Sequence, residues 1–319
     1  MNHMEGCEMY FPYLRGRQFE LIALRELVEQ KRINERIVPI IEPIKPSTTL
    51  LKTLQAFVRN DREIAVICNP VVGEFSKKLR EMCQEESKVA EDLSKLLSEN
   101  NKVIKSYIMN NDVALNIKDM VDKNKFLIIN SDRDSLDDFL EVYEDTLPRF
   151  TLIPDDRAFK RVIANTKVLF EDNFKKKLRN IDYIDKEDEF FSDNHLYYQD
   201  ENFIGFADYS VVGEEFNESG FAPIAVAIHI VYFDEQKRLR IHHFVSDSNE
   251  GIEDPGGKFG EALKKLVCWC KENEVQTTLG LQEFYDYHKS EKYPGLGTVK
   301  KCSIMHHIEL MSNFLGGKQ

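Results

Sequence analysis

The sequence predicts an α/β protein with a (β/α)₈ TIM-barrel-like fold and a β-hairpin inserted near its carboxyl-terminal third. Short apolar runs alternate with amphipathic helical stretches, and eight such runs occur before residue 209. Most of these runs lack polar alternation, which is typical of parallel strands buried on both faces. Repeated βα units favour right-handed crossovers and one parallel sheet. An open doubly wound sheet is the alternative arrangement of the same units.

The predicted elements follow each other regularly over the first two thirds of the chain. The apolar runs are rich in Ile, Val and Phe and span residues 10–14, 37–43, 63–70, 102–110, 125–130, 150–154, 167–170 and 203–208. The helical patterns between them span residues 18–31, 48–59, 76–98, 112–122, 135–143 and 158–164.

The regular pattern ends in the last third of the chain. Residues 181–201 mix acidic and aromatic side chains without a clear period, so we expect an acidic aromatic loop there. Over residues 222–246, two apolar stretches flank the turn-like "DEQKR", which predicts an inserted hairpin. Helices are expected over 259–270 and 304–315. Because no low-complexity linker or repeat occurs, we expect residues 1–319 to form a single barrel-like domain.

Charge and composition narrow the classes of partner. With 43 basic and 55 acidic side chains, the net charge of −12 gives no overall field that attracts DNA or anionic membranes. A short basic stretch at residues 173–179 leaves nucleic-acid binding open. The amino terminus lacks a secretory pattern, and no run approaches the about 18 apolar residues of a spanning helix. We therefore expect a cytoplasmic protein with no membrane partner. Six cysteines without paired spacing are expected to be reduced thiols.

The carboxyl ends of the predicted strands are the first place to seek a site, because ligands collect there in parallel α/β folds. Most residues at these ends are acids or amides. Many of them also precede a helix, where Asp, Asn and Ser serve as N-caps, so a structural role is an alternative for each. The residues are Arg15, Glu42, Asn69, Asn110, Asn130, Asp132, Asp155, Asp156, Glu171, Asp172 and Asp208.

Glu42 is the most informative of these residues. Pro43 and Pro46 prevent a helix from starting directly after it, so Glu42 cannot be an N-cap. A buried carboxylate needs a partner, and Arg15 at the end of the preceding strand is the nearest plausible one. Gly16 allows the turn, and Arg17 opens the next helix, where free N–H groups attract anions. Arg15 and Arg17 are therefore predicted phosphate-binding residues, with a structural ion pair between Arg15 and Glu42 as the alternative.

A ring of carboxylates at a barrel mouth would suit a divalent cation or acid–base catalysis. We expect Glu42, Asp155 and Asp208 to bind Mg²⁺ or Mn²⁺ and to be the catalytic residues. A turn acid is the alternative role for Asp208. His242 and His243 are further candidates, but adjacent residues on a strand point to opposite faces, so only one can share a site with a neighbouring strand.

One glycine-rich segment precedes the predicted helix of residues 259–270. The stretch Pro255-Gly256-Gly257-Lys258 could cradle phosphate, but it lacks the spacing of a P-loop. A turn at the start of the helix is the alternative.

Several long stretches together resemble a known family. They are "YFPYLRGRQFELIALREL", "IVPIIEPIK", "FADYSVVGEEFNESGFAPIAVAIH", "IHHFVSDSN" and "YPGLGTVKKCSIMHHIEL". They resemble the phage-type "beta protein" family, specifically its bacterial branch, over nearly the whole chain. The resemblance implies a TIM-barrel-like fold, phage-related or antiviral-defence gene clusters, and a second small protein encoded nearby as partner. It implies no reaction and no catalytic residue.

Two functional classes remain open at this point. The first is a metal-assisted hydrolase of a phosphate-containing substrate, with the three carboxylates near a cation and Arg15 on the phosphate. The second is a non-enzymatic sensor or assembly subunit, in which the hairpin and the acidic aromatic loop engage a protein partner.

Overall fold

A computed structural model describes residues 8–217 and 224–317. Its contacts divide the chain into two compact units. The first comprises residues 1–171 and 194–208, and the second comprises residues 172–193 and 209–319. The single domain over residues 1–319 stays a prediction from the sequence. The chain leaves the first unit after residue 171, returns to it for residues 194–208 and then leaves it again, and no low-complexity linker marks any of these three crossings.

The first unit is a closed barrel of eight parallel strands, which confirms the predicted TIM-barrel-like fold and excludes the open sheet. Each of the eight apolar runs contributes one strand. The eighth strand along the chain belongs to the second unit. The ninth strand closes the barrel by pairing with the seventh and the first strands. The barrel strands are β1 (Met9–Leu14), β2 (Ile40–Ile41), β3 (Ile64–Ile67), β4 (Val103–Ile108), β5 (Leu127–Ile129), β6 (Phe150–Ile153), β7 (Lys167–Glu171) and, after β8 (Asp188–Ser192), β9 (Gly205–Asp208).

Helices follow most barrel strands, as the alternation predicted. The stretch expected as one helix over 76–98 is two helices, because Glu86 adopts a left-handed conformation with φ 54° between them. The helices of this unit are α1 (Gln18–Glu29), α2 (Thr48–Arg59), α3 (Phe75–Gln84), α4 (Lys88–Glu99), α5 (Asn111–Ile117), α6 (Leu136–Val142), α7 (Arg157–Val162) and α8 (Asn194–Tyr197).

Ring contacts across the barrel identify the side chains that fill it. Tyr13 on β1 stacks on Phe170 on β7 with ring centroids 5.5 Å apart, and Phe11 meets Phe150 on β6 at 4.9 Å. Since β6 and β7 are not neighbours of β1, these rings meet inside the barrel. Side chains alternate along a strand, so Tyr10 points outward. The barrel is thus a packed core of aromatic and aliphatic residues.

The described residues of the second unit form an antiparallel sheet in the order β10-β11-β8, three α-helices and one 3₁₀ helix. Its remaining elements are β10 (Ala227–Phe233), β11 (Leu239–Val245), α9 (Pro255–Glu272), α10 (Leu279–Ser290) and α11 (Leu296–Leu315). Ile228, Ile230 and Phe244 from the sheet pack with residues of α9, α10 and α11, such as Phe284, into one hydrophobic core.

The acidic aromatic segment is ordered rather than a loop. Residues 181–201 hold most of a 3₁₀ helix (Asn180–Lys186), β8, α8 and a second 3₁₀ helix (Tyr198–Glu201). Strand β8 forms because it pairs with β11 and buries Phe191. The hairpin turn lies where "DEQKR" predicted it, although residues 222 and 223 of the expected 222–246 range lie outside the described part of the chain. Pairing with β8 extends the hairpin to three strands.

The length and hydropathy of the described helices test whether any of them could span a membrane. None of the helices within residues 8–217 and 224–317 combines the length and apolar character that crossing a membrane requires.

Candidate functional site

Arg15 and Glu42 form an ion pair at the carboxyl end of β1 and β2, as the sequence predicted. Tyr13 pairs with Ile40 across these strands and points into the barrel, so Ile40 and Glu42 point inward as well. Glu42 is fully buried, and Arg15 is 7% exposed. The pair therefore lies inside the carboxyl-terminal mouth, where barrel enzymes place their sites.

Three donors converge on the Glu42 carboxylate. Its Oε2 accepts hydrogen bonds from the Tyr13 hydroxyl at 2.7 Å and from Arg15 Nη1. Its Oε1 accepts from the backbone N–H of Val71 at 2.8 Å, in the loop after β3. Glu42 thus links three consecutive strands of the barrel and fixes the position of the Arg15 guanidinium.

Gly16 makes the turn that places Arg15. Its φ is +64°, and an added Cβ would lie 3.0 Å from the Glu42 carbonyl oxygen and 3.1 Å from Pro43 Cα. A glycine is required because both the conformation and the close backbone approach exclude a side chain. Arg17, the other predicted phosphate residue, is half-buried at the N-cap of α1, and its N–H donates to Glu20 at 3.5 Å.

Asp208 points away from the interior of the barrel. It aligns with Pro12 on β1, one residue from the inward-facing Tyr13, so it takes the opposite face. The Tyr10 hydroxyl donates to Asp208 Oδ1 at 2.7 Å, and both residues are buried. Burial and the neighbouring carboxylate raise the pKa of Tyr10. Asp208 and Glu42 therefore belong to different faces of the barrel wall.

Asp155 lies at the surface after β6. Its side chain is 49% exposed and forms an ion pair with Lys160, which also contacts Glu201. The structure thus brings Arg15 to Glu42 but does not bring Asp155 or Asp208 to them. Among the described residues, no group of three or more His, Cys, Asp or Glu side chains could hold a metal ion. The cation at these carboxylates stays a prediction from the sequence.

Most other strand-end residues have the structural roles considered as alternatives. Asn110 and Asp156 cap α5 and α7, and Asp132 caps a 3₁₀ turn. Asn69 bonds both the N–H and the carbonyl of Ile108 at 2.9 Å, extending the contact between β3 and β4. The remaining three also have local partners: Asn130 accepts from Ser135, Glu171 accepts from Asn194, and Asp172 accepts from the N–H groups of Phe174 and Glu214.

The buried His243 forms a cluster with the half-buried His229 in the second unit. Their Nδ1 atoms are 2.7 Å apart, and His243 Nε2 is 3.3 Å from Glu189 Oε1. Tyr183 packs against both imidazole rings. Burial lowers the pKa of His229 and of His243, so both rings are neutral at pH 7. These contacts form a hydrogen-bonded chain. The Nδ1–H of His229 faces His243 Nδ1, and the Nε2–H of His243 faces the Glu189 carboxylate.

His242 points to the other face of the same strand, as alternation requires. Its Nδ1 is 3.2 Å from Asp188 Oδ2, and its ring stacks on Trp269 at 4.5 Å. Asp188 also contacts Arg240 and accepts from the Tyr232 hydroxyl at 2.7 Å. These hydrogen bonds lower the pKa of Asp188 to about 2. The two candidate histidines thus belong to separate clusters.

Sequence reasoning missed Tyr13 and Glu189. Tyr13 is two residues before Arg15 on a strand, so the same alternation that orients Arg15 would have placed the hydroxyl beside it. Glu189 could not be found because the segment around it was not recognised as a strand, and its pairing to β11 sets its distance to His243.

His306 gives the second unit a predictable pH dependence. Its Nε2 donates to the Val231 carbonyl at 2.8 Å, its Nδ1 lies 2.8 Å from the Thr278 hydroxyl, and burial lowers its pKa to about 4. In the unfolded chain the pKa of this histidine is about 6.5, so as pH falls the unfolded chain takes up the proton before the folded protein does. Stability from neutral His306 is therefore complete above about pH 6.5 and is lost, by about 3 kcal/mol, as pH falls towards 4.

We expect His306→Gln to flatten this part of the stability profile. Urea unfolding of wild type and variant across this pH range measures it, and His288→Gln, at an exposed site, is the control. An equal acid-induced loss in His306→Gln and wild type would contradict the assignment.

The fold and the site define the class of protein: a closed (β/α)₈ barrel with a buried Arg–Glu–Tyr cluster in its carboxyl-terminal mouth. Comparisons with protein-family models, with curated proteins and with solved structures give no match for this chain. Membership of the "beta protein" family therefore stays a prediction from the quoted stretches.

Proposed function

We propose that the barrel binds a small phosphate-bearing molecule at its carboxyl-terminal mouth through Arg15. One observation carries the proposal: an arginine, rather than an apolar residue, points inward at the end of β1 and is held in place by Glu42 and Tyr13. A guanidinium presents N–H donors in a planar fork that matches phosphate oxygens.

The surroundings of Arg15 support anion binding. Gly16 turns the chain directly into α1, so the first N–H groups of that helix follow Arg15 by a few residues. Helix amino termini favour negative groups. Glu42 neutralises part of the charge of Arg15, so its role in the proposal is to orient the guanidinium.

The enzymatic form of this proposal is hydrolysis of the bound phosphate compound, with Mg²⁺ or Mn²⁺ as the predicted cofactor. The three predicted carboxylates do not converge, so no catalytic step is assigned to them. A thermal scan with Mg²⁺ or Mn²⁺ tests the cofactor. The cation should raise the melting temperature of the wild-type protein, and Asp208→Asn should lose this rise while keeping its fold.

The non-enzymatic alternative requires the hairpin and the acidic aromatic segment of residues 181–201 to engage a protein partner. Ile228, Ile230 and Phe244 of the hairpin pack within the core of the second unit, so this apolar face already has a partner. Phosphate binding is therefore the function that the geometry supports better. A second small protein encoded nearby, and a role in antiviral defence, remain predictions of the family resemblance.

Phosphate-dependent stabilisation tests the proposal. At a hundredfold excess of inorganic phosphate over its dissociation constant, we expect the wild-type protein to gain about 2.7 kcal/mol in a thermal scan. The double variant Arg15→Gln/Glu42→Gln removes both charges together, which avoids leaving one ion buried alone. It should lose the gain.

Arg59→Gln is the matched control, since Arg59 forms an exposed pair with Glu29. It should keep the full phosphate response. The proposal is wrong if the wild type shows no response, or if the double variant responds as strongly as the wild type.

A further inference from the structure

A cavity lies in the second unit, between the amino-terminal half of α9 and the carboxyl-terminal end of α10. Its volume is about 370 Å³. Small-molecule sites usually occupy about 300–1,000 Å³. The cavity is built from residues of the second unit, and the proposed phosphate site in the barrel has no part in it.

Two glycines one helical turn apart leave the space for this cavity. A Cβ added to Gly260 would meet no atom within 4 Å, and one added to Gly256 would come no closer than 3.6 Å to its nearest neighbour, Tyr293. Helix α9 therefore exposes bare backbone to the cavity over one turn. Larger side chains here would fill the space without disturbing the packing.

Aromatic rings provide apolar walls. Tyr293 packs against the buried Phe259 with ring centroids 5.4 Å apart, and Tyr287 is a half-buried second wall residue. Aromatic faces of this kind stack on the planar rings of ligands, including nucleobases.

Two cations line the rim. Lys264 on α9 and Lys292 after α10 both line the cavity and are exposed. Neither forms an ion pair with another residue in the part of the chain that the structure describes. Glu291 is the acidic residue of the lining, so the lysines give the cavity a net positive charge.

We propose that this cavity binds a nucleotide-like ligand, a small molecule that joins a planar ring to a phosphate. The ring would stack on Tyr287 or Tyr293 above the bare turn at Gly256 and Gly260. The phosphate would meet Lys264 and Lys292. The glycine-rich start of α9 thus has a role as the floor of the site rather than as a P-loop.

Titration calorimetry with AMP at low ionic strength tests this proposal. The measurement uses the full chain carrying Arg15→Gln/Glu42→Gln, so that binding in the barrel does not contribute. In this background we expect Lys264→Gln/Lys292→Gln to weaken AMP binding at least tenfold and Gly260→Leu to abolish it. Lys289→Gln, an exposed lysine outside the cavity lining, should leave the affinity unchanged.

Adenosine and inorganic phosphate distinguish the two halves of the ligand. Both should bind at least tenfold more weakly than AMP, because each lacks one set of contacts. The proposal is overturned if AMP does not bind, if Gly260→Leu binds it normally, or if either fragment binds as tightly as AMP. A normal circular dichroism spectrum of each variant shows that a loss of binding is not a loss of fold.

Discussion

Glu42→Gln is expected to lower the free energy of unfolding by about 3 kcal/mol. The carboxylate accepts from Arg15, from the Tyr13 hydroxyl and from the N–H of Val71. A carboxamide has one acceptor oxygen, and its NH₂ group would face one of these donors. It would also leave the buried Arg15 without its counter-charge.

Urea unfolding followed by circular dichroism measures this effect. Glu29→Gln is the matched control, because it makes the same substitution in the exposed pair with Arg59 and should cost less than about 1 kcal/mol. Equal free energies of unfolding for Glu42→Gln and wild type would mean that the ion pair of Arg15 and Glu42 does not stabilise the barrel.

Gly280→Ala is expected to destabilise the second unit by about 3 kcal/mol. Gly280 lies in the first turn of α10, where an added Cβ would lie 2.1 Å from the Cys302 carbonyl oxygen and 2.8 Å from the His306 backbone nitrogen of α11. Both are backbone atoms, so the contact cannot be relieved by a side-chain rotation. The two helices would have to separate.

Gly260→Ala is the control for this substitution and should act in the opposite direction. Gly260 lies inside α9, and its added Cβ would meet nothing within 4 Å. Alanine is the better helix former, so the variant should gain up to about 1 kcal/mol. Trp269 is the single tryptophan and belongs to the second unit, so its fluorescence follows unfolding there. Similar effects of the two substitutions would refute the close helix contact at Gly280.

The barrel was predictable because its strands are buried on both faces and read as continuous apolar runs. The pair of Arg15 and Glu42 was predictable for a local reason, since Pro43 left Glu42 without a capping role. The face to which the Asp208 side chain points was not predictable, because a shift of one residue in strand register moves a side chain to the opposite face. The pairing of β9 with its two neighbours, β1 and β7, fixes that register.

The second unit was harder to predict than the barrel. Strand β8 is five residues long, carries two acids and pairs with a strand about 50 positions later, so no local pattern signals it. Helix α10 mixes aromatic and charged residues, which weakens its apolar stripe. The cluster of His229 and His243 depends on the pairing of β10 with β11, although alternation correctly predicted that only one of His242 and His243 could belong to it.

A crystal structure of the protein with inorganic phosphate and Mg²⁺ tests the central claim most directly. The account predicts phosphate in the barrel mouth, within hydrogen-bonding distance of the Arg15 guanidinium, with Glu42 and Tyr13 still holding that side chain. Phosphate bound elsewhere on the barrel, or a mouth in which Arg15 does not contact it at saturating concentration, would contradict the account.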